Sequence, residues 1–287
     1  MPPVPVCREP AAIRRAVLAA RAAGRRVGFV PTMGCLHAGH ASLVERAVRE
    51  CDDVAVSIFV NPTQFGPGED FDRYPRTLPA DLELLEPLGA RWVYAPETAA
   101  LYPPGDATRV VVAGPAEGFE GAHRPGHFTG VATVVCRLLL AVPADVAYFG
   151  AKDWQQTLVV RRMVGDLGLP VEIVVCPTVR EADGLALSSR NSYLSPAERP
   201  RAAALWAGLG EAGAAWLAGA DVPAVEAALR RPLDAAGLAV DYAAVVDAES
   251  LGPVGAGRPA VALVAARLGT TRLIDNRELP PRTIGAG

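Results

Sequence analysis

Short apolar runs that alternate with helix-like segments dominate the first part of this 287-residue chain. These runs are mostly apolar and lack the strict polar alternation of a strand that faces water on one side. They are residues 26–30, 54–60, 91–95, 145–149 and 171–176. A helical period is found at residues 11–23, 41–50, 81–88, 131–141 and 155–167. Such strands separated by helices are typical of a parallel sheet covered on both faces. We therefore predict an α/β fold with a Rossmann-like parallel sheet covered by helices.

The composition changes in the last third of the chain. Ser195 and Glu198 have the spacing of a capping box, which indicates the start of a helix. Two alanine-rich helices are predicted next, at 202–218 and 222–236, the second broken near Pro232 because proline removes a backbone donor. Strands are predicted at 240–246, 259–268 and 272–275. The predicted domains are therefore residues 1–177 and a smaller α+β domain, residues 178–287.

Composition and charge exclude several classes of protein. The net charge is −3, from 28 Lys and Arg against 31 Asp and Glu, and no basic stripe indicates a nucleic acid partner. No apolar run approaches the roughly 18 residues of a membrane helix, so we expect no membrane contact. No secretory signal is visible at the N-terminus. Five cysteines without C-x-x-C spacing argue against a disulfide framework. These properties predict a cytoplasmic protein.

One motif follows the first apolar run directly. Met33-Gly34-Cys35-Leu36-His37-Ala38-Gly39-His40 joins the predicted strand to the predicted helix. His37 and His40 are three residues apart, so both imidazoles would lie on one side of the first helical turn. Unpaired N–H groups and the helix dipole favour anions at such a turn. The motif therefore predicts a site for the phosphates of a nucleotide.

Two other interpretations of the histidine pair stay open from the motif alone. The two residues could be ordinary polar groups near a helix cap, or two ligands of a metal ion. A structural zinc site needs four ligands. The chain's other histidines are His123 and His127, and no cysteine has ligand spacing to the pair. We therefore do not expect a metal on this pair.

Polar residues also follow the second apolar run. Asn61 and Gln64 come directly after it, and ligands of open α/β sheets bind at the carboxyl ends of the strands. We therefore expect both residues near His37 and His40. The amide of Gln64 both donates and accepts hydrogen bonds, which suits a hydroxyl or a carboxylate. A turn built by Asn61 and Pro62 is the alternative.

Lys152, Asp153 and Gln156 follow the run at 145–149. A lysine between a strand and a helix is well placed to meet phosphate. Asp153 would accept hydrogen bonds from ribose hydroxyls, and Gln156 would face the same crevice. A capped helix start with solvated charges explains the same residues.

Two further loops carry polar patterns. The glycine-rich segment 120–130 indicates either a loop shaped around a ligand or a structural helix entry. Ser188, Ser189 and Arg190 are three consecutive phosphate-type donors. A polar linker between domains is the alternative, but a linker would not need three such donors.

Two nucleotide-binding motifs can be excluded. The segment 208–213 matches G-x-G-x-x-G literally, but it lies in a helical pattern and no strand precedes it. The dinucleotide fingerprint requires a strand, a turn and a helix. The chain also lacks G-x-x-x-x-G-K-[ST], so it is not a P-loop enzyme.

Together the remaining motifs resemble the pantoate–β-alanine ligase family, within the wider HxGH nucleotidylyltransferase superfamily. The resemblance rests on Pro31-Thr32-Met33-Gly34 with His37-x-Gly39-His40, Asn61-Pro62-Thr63-Gln64-Phe65, Arg124-Pro125-Gly126-His127-Phe128-x-Gly130-Val131, Phe149-Gly150-x-Lys152-Asp153-x-Gln155-Gln156, and Arg180-x-x-Asp183-Gly184-Leu185-Ala186-x-Ser188-Ser189-Arg190-Asn191. It runs from about residue 6 to Arg277. HxGH alone would indicate only the superfamily, whereas Gln64 with Gln156 distinguishes the pantoate enzymes.

The resemblance implies a two-step ligation in pantothenate and coenzyme A biosynthesis. The carboxylate of (R)-pantoate attacks the α-phosphate of ATP, and β-alanine then attacks the pantoyl adenylate to give pantothenate and AMP. It implies ATP as a co-substrate with Mg²⁺, no organic prosthetic group, a homodimer, and a C-terminal domain that covers the site.

The resemblance also implies roles for individual residues. His40 is the family's proton donor, and His37, Lys152 and Arg190 complete the implied catalytic set. The implied ATP-binding residues are Met33, Gly34, Cys35, Leu36, His37, Ala38, Gly39, His40, Gly150, Ala151, Lys152, Asp153, Val179, Leu187, Ser188, Ser189 and Arg190. Gln64 and Gln156 would bind pantoate, Gln64 would also bind β-alanine, and Asp81 matches a position associated with Mg²⁺. Cys35 stands where the family commonly has alanine, either as a small residue packed under the loop or as an oxidisable thiol.

Two other functions are alternatives to this ligation. A nucleotidylyltransferase that stops after adenylyl transfer to a phosphate acceptor would need more basic residues for that acceptor. A catalytically silent nucleotide-binding protein would not need His40, Lys152 and Arg190. A turnover assay separates the three.

Overall fold

The computed structural model of this chain describes residues 4–282. They form two compact units. The first contains the residues up to Ala151 together with Gln155–Pro177, and the second contains Lys152–Trp154 and the residues from Thr178 on. The functional division drawn at residue 178 stays a prediction. None of the helices within residues 4–282 is both long and apolar enough to cross a bilayer.

The first unit is built on a six-stranded sheet in which every pairing is parallel. The strands are β1 (Val6–Cys7), β2 (Val27–Thr32), β3 (Asp53–Ile58), β4 (Trp92–Tyr94), β5 (Val146–Gly150) and β6 (Glu172–Cys176). Their order across the sheet is β1-β4-β3-β2-β5-β6. The predicted parallel α/β sheet is confirmed. The sequence missed only β1, which is two residues long and carries no periodicity.

Helices cover both faces of this sheet. They are α1 (Pro10–Ala22), α2 (Ala38–Glu50), α3 (Leu78–Leu85), α4 (Thr98–Leu101), α5 (Phe119–His123), α6 (His127–Ala141) and α7 (Trp154–Asp166). One buried apolar cluster joins the sheet to α1, α6 and α7, and another joins it to α2 and α3. Helices α2, α3 and α6 begin three or four residues earlier than predicted. Most residues of their first turns are polar, small or proline, which interrupts the helical period.

The order of the strands reverses at β2, and this reversal indicates which edge of the sheet can bind a ligand. From β2 the chain moves outward through β3 and β4, and it returns to the other side of β2 to form β5 and β6. Thr32 at the end of β2 pairs in register with Ile58 at the end of β3. The loops that follow β2 and β3 therefore leave the same edge of the sheet, next to the point where the strand order reverses, and such points bind ligands in open α/β sheets.

The second unit contains a three-stranded antiparallel sheet with helices packed on it. Its elements are α8 (Arg199–Ala202), α9 (Ala204–Leu217), α10 (Val222–Ala235), β7 (Ala239–Asp247), β8 (Ala260–Leu268) and β9 (Thr271–Leu279). The predicted α+β character is confirmed. Ser195 and Glu198 do bond reciprocally, with backbone-to-side-chain distances of 2.9 and 3.3 Å. The regular helix begins only at Arg199, three residues after the start that the capping box predicted.

The predicted break of the second alanine-rich helix was wrong. Helix α10 runs through Pro232 to Ala235. Val225, Leu229 and Leu233 are spaced by four residues and are fully buried. Because packing of this apolar stripe stabilises the helix more than the missing backbone donor destabilises it, the helix continues.

One glycine of the excluded G-x-G-x-x-G motif allows two helices to pack together. Gly208 lies in α9, and a Cβ there would overlap the carbonyl oxygen of Leu229 and lie 2.7 Å from Cδ1 of Leu233. A Cβ at Gly210 would meet nothing within 4 Å. Gly208 therefore allows α9 and α10 to approach closely, which explains a glycine at this position without any nucleotide.

Candidate active site

The loop that follows β2 is held in an unusual backbone conformation. Gly34 has φ +82° and Cys35 has φ +50°, both in the left-handed region. A side chain at Gly34 would place its Cβ 3.0 Å from Oδ2 of Asp81. Cys35 is a residue type that seldom adopts this conformation, so surrounding contacts must stabilise it.

Asp81 supplies those contacts from the start of α3. Its Oδ2 accepts the backbone N–H of Cys35 at 3.2 Å, and its Oδ1 accepts that of Leu36 at 2.8 Å. Thr77 donates a third hydrogen bond, also to Oδ1. Only 2% of Asp81 is exposed. Asp81 is therefore the anchor of the loop.

These contacts do not fit the role of magnesium ligand that the resemblance implied for Asp81. Both carboxylate oxygens face N–H donors of the loop, and Mg²⁺ sites keep several waters that a buried carboxylate cannot accommodate. Within residues 4–282 no group of three or more His, Cys, Asp or Glu is placed to hold a metal ion. The contacts therefore support a structural role for Asp81, and its role toward Mg²⁺ stays a prediction.

The two histidines of the motif lie together at the N-terminus of α2. His37 is the N-cap and its Nδ1 accepts the N–H of Gly39 at 3.1 Å, while Nδ1 of His40 accepts the N–H of His37 at 3.3 Å. The ring centroids are 4.1 Å apart. In a neutral imidazole whose Nδ1 accepts, the proton is on Nε2. Each ring therefore has an Nε2–H donor in a helix N-terminus that attracts anions.

The turn after β3 fixes the amide of Gln64. Asn61 is 1% exposed and donates from Nδ2 to Oε1 of Gln64 at 3.0 Å. Oδ1 of Asn61 accepts from the hydroxyl of Tyr102 and from Thr63. Because Oε1 of Gln64 already accepts a hydrogen bond from Asn61, its NH₂ group is the end of the amide that can donate to a ligand.

Gln64 also connects this turn to the loop that follows β2. Its Nε2 lies 3.0 Å from Sδ of Met33, the residue that follows β2. Gln64 therefore contacts the loop that carries the histidine motif, while the expected proximity of Asn61 and Gln64 to His37 and His40 stays a prediction. The alternative of a simple Asn-Pro turn is also part of the structure, since Asn61 caps a short 3₁₀ helix at Pro62–Gln64.

Two glutamines at the start of α7 have different environments. Gln155 is buried: it accepts the N–H of Glu120 at 2.9 Å and donates to the carbonyls of Pro115 and Glu117 at 3.0 Å each. Gln156 is half-buried. Gln155 therefore shapes a loop, while the role of Gln156 in binding pantoate stays a prediction.

The residues predicted for ATP in the second unit lie in two short segments. Lys152 and Asp153 have charged groups 3.9 Å apart, and the carbonyl of Lys152 accepts from Nδ2 of Asn276 at 2.8 Å. Trp154 donates from its indole to the carbonyl of Ala248 at 3.0 Å. These bonds hold the backbone of Lys152 and the side chain of Trp154 against other residues of the same unit.

The other segment is a hairpin followed by a single helical turn. Leu187 N–H donates to the carbonyl of Val179 at 3.0 Å, which places these two residues side by side. Arg180 holds the hairpin through a bidentate pair with Asp275 at 2.6 and 2.9 Å. Ser188 then caps a 3₁₀ helix by accepting the N–H of Arg190 at 3.3 Å. The polar triplet at 188–190 is therefore part of a capped 3₁₀ turn, and its role in binding phosphate stays a prediction.

Sequence reasoning missed several residues that support the site. Tyr102 is 41 positions from Asn61, and Glu69 is 55 positions from Arg124, the residue it pairs with. No local pattern marks such pairs. The motif at 124–130 was the available signal, since its arginine and histidine both contact the turn at Gln64.

The fold and the first-unit residues define a class of protein. A parallel sheet whose central strand ends in a glycine turn, followed by paired histidines at a helix N-terminus, is a nucleotide-binding α/β domain of the HxGH type. A family model described as "Pantoate-beta-alanine ligase" matches residues 5–278. The chain belongs to the pantoate–β-alanine ligase family.

Individual relatives agree with this membership along nearly the whole chain. A pantothenate synthetase of Rhizorhabdus wittichii is 53% identical over 271 residues, which cover 94% of this chain and 96% of that protein. A structure of the Thermus thermophilus enzyme has a TM-score of 0.91 at 51% identity and covers 97% and 100% of the two chains. A Francisella tularensis pantoate–β-alanine ligase, complexed with β,γ-ATP and β-alanine, has a TM-score of 0.80 at 32% identity and covers 96% and 97%.

Proposed function

We propose that this chain is an ATP-dependent ligase that condenses (R)-pantoate with β-alanine to give pantothenate, AMP and diphosphate. The observation that carries the proposal is the arrangement in the first unit: two imidazoles with Nε2–H donors at the start of α2, and the oriented amide of Gln64 bonded to Met33. Support for the substrates comes from the family match and from the relative described with an ATP analogue and β-alanine.

In the first step a carboxylate oxygen of pantoate attacks the α-phosphorus of ATP. A bond forms between this oxygen and phosphorus, and the bond to the bridging oxygen breaks, so diphosphate leaves with the electron pair. Negative charge builds up on the phosphate oxygens in the transition state. His37 and His40 would donate to these oxygens from Nε2, with Lys152 and Arg190 proposed as further cationic donors.

In the second step the neutral amine of β-alanine attacks the acyl carbon of pantoyl adenylate. The C–N bond forms, the C–O bond to AMP breaks, and AMP leaves with the electron pair while the amine loses a proton to solvent. We propose that Gln64 donates from its NH₂ group to pantoate and borders the amine site, and that Gln156 contributes a second amide. The protein supplies position and charge stabilisation, and no covalent enzyme intermediate is needed.

The proposed ATP site is formed by Met33–His40, Gly150–Asp153, Val179 and Leu187–Arg190, as the family resemblance assigns it. We propose that Mg²⁺ enters as the counter-ion of ATP, because the only acidic residue assigned to it, Asp81, is engaged by the loop. No step depends on a metal ligand from the protein. The ion would neutralise phosphate charge that the two imidazoles cannot.

We also propose that the chain acts as a homodimer in the cytoplasm, which rests on the family resemblance and on cysteine usage. Light scattering coupled to size exclusion tests the dimer: a mass of twice 30.0 kDa is expected. A single-chain mass at assay concentrations would refute it.

Isotope exchange tests the function. Labelled diphosphate is incubated with ATP, Mg²⁺ and enzyme, with and without (R)-pantoate, and β-alanine is then added. We expect exchange into ATP only with pantoate, and AMP together with pantothenate only after β-alanine. Exchange that ignores pantoate would indicate another acceptor, and no exchange would indicate a binding protein.

A further inference from the structure

His127 is a buried histidine for which the reaction steps have no use. It is the first residue of α6, with 8% of its surface exposed, and Gly126 before it has φ +83°. Burial lowers the pKa of His127 to about 4, and the charge of Arg124 acts in the same direction. The ring is therefore neutral at the pH of the cytoplasm.

The two ring nitrogens of His127 have partners that settle which one carries the proton. Nε2 lies 3.1 Å from Nη1 of Arg124, and a guanidinium can only donate, so Nε2 accepts. The proton is therefore on Nδ1. Nδ1 lies 2.8 Å from the backbone carbonyl oxygen of Gln64 and donates to it. His127 thus holds the main chain of the residue assigned to pantoate.

Arg124 is in turn fixed by Glu69. The guanidinium makes two hydrogen bonds of 2.7 Å to the two oxygens of this carboxylate. Burial alone would raise the pKa of Glu69, but the hydrogen bonds and charge of Arg124 outweigh it and lower the pKa to about 2. The carboxylate of Glu69 is therefore ionised throughout the physiological range and keeps accepting from Arg124, which donates to His127.

The same helix contacts the Gln64 turn at another place. A Cβ at Gly130 would overlap the carbonyl oxygen of Thr63 and lie 2.5 Å from its carbonyl carbon. The carbonyl of Gly130 accepts from Nδ2 of Asn61 at 3.2 Å, the atom that also donates to Gln64. Helix α6 therefore fixes this turn at its backbone and, through Asn61, at the Gln64 amide.

We propose that His127, oriented by the Arg124–Glu69 pair, is a positioning residue for Gln64 and thereby for pantoate. This rests on the proposed function of Gln64. His127 touches no substrate: its Nδ1–H fixes the Gln64 carbonyl, which sets where the side-chain NH₂ group points. The sequence motif at 124–130 thus acts on the pantoate site through Gln64.

The test compares His127→Leu with His127→Asn in the pantoate-dependent exchange reaction, where β-alanine is absent. Leucine removes the donor, whereas the side-chain amide nitrogen of asparagine occupies the position of Nδ1 and still donates. We expect His127→Leu to raise the KM for pantoate at least tenfold with the KM for ATP changed less than twofold. His127→Asn should recover most of the loss.

A second comparison separates positioning from general damage. Gln64→Ala removes the amide through which His127 acts, so adding His127→Leu to it should change the pantoate KM less than twofold. Independent, multiplying effects would overturn the proposal. So would equal rises in the KM for ATP and pantoate. If His127→Leu does not fold, Arg124→Met serves instead: at least a threefold rise in the pantoate KM is expected, and an unchanged KM overturns the proposal.

The control for the proposed function is the unaltered chain in the same assay. If its exchange does not depend on pantoate, the proposed function fails. If its exchange does depend on pantoate but the variants show no selective effect on pantoate, the positioning role alone fails.

Discussion

Replacing Asp81 by asparagine separates the two roles assigned to this residue. Asp81→Asn keeps the size of the side chain but removes its charge and turns one acceptor oxygen into a donor. The donor then faces an N–H group of the loop at Cys35 or Leu36, where the carboxylate accepted at 3.2 and 2.8 Å. The left-handed conformation of Cys35 loses its support, and the nucleotide loop relaxes.

The size of the effect follows from the bonds lost. A hydrogen bond to a charged group contributes roughly 1.5–3 kcal/mol. We assume that the whole free energy of one such bond is lost from the loop conformation that binds ATP. ATP binding is then weakened by about ten- to a hundredfold. We propose that Asp81 supports the loop and is not a ligand of Mg²⁺, so the Mg²⁺ concentration that gives half-maximal activity should stay within twofold.

The assay measures the KM for ATP at saturating Mg²⁺ and then titrates Mg²⁺ at saturating ATP. Glu83→Gln is the matched control, because it removes one negative charge from an exposed position of the same helix. It should leave both values unchanged. The reasoning is refuted if Asp81→Asn shifts the Mg²⁺ requirement tenfold while the KM for ATP at saturating Mg²⁺ stays within twofold.

Three further predictions concern packing and pH. Gly208→Ala should lower the free energy of unfolding by about 1–3 kcal/mol because its methyl group meets a carbonyl of α10. Gly210→Ala in the same helix should raise the free energy of unfolding by about 0.5–1 kcal/mol. Denaturant titrations that give the same sign for both variants would contradict this. Gly130→Ala should raise the KM for pantoate more than that for ATP, since the methyl group displaces the Gln64 turn; equal changes would argue against that coupling. Because burial lowers the pKa of His127 to about 4, the unfolded chain binds a proton between pH 6.5 and 4 that the folded chain does not. Stability should therefore fall as the pH drops through this window, and less so in His127→Asn; parallel pH profiles of the two proteins would contradict it.

The sequence predicted the parallel sheet well because buried parallel strands are apolar throughout. Residues 27–32 and 53–58 needed no long-range information to be recognised as strands. The histidine pair was predicted for a similar reason, since the strand, the glycine turn and the helix are consecutive. The helix start was misplaced because His37 is itself the N-cap, and a polar cap has no hydrophobic period.

What the sequence could not show depends on contacts between distant segments. Asp81 contacts residues 45 and 46 positions away, and His127 contacts one 63 positions away. Neither pairing leaves a local pattern. The continuation of α10 through Pro232 has the same origin, since its apolar stripe is buried by elements elsewhere in the unit.

We propose that pantoate is activated by adenylation before the amine attacks. Enzymatic synthesis with pantoate labelled by ¹⁸O in both carboxylate oxygens, followed by mass spectrometry of the nucleotide product, tests this order of steps. Because the attacking carboxylate oxygen stays bound to phosphorus when AMP leaves, we expect AMP that carries one ¹⁸O atom. Unlabelled AMP, or ADP with labelled inorganic phosphate, would contradict it.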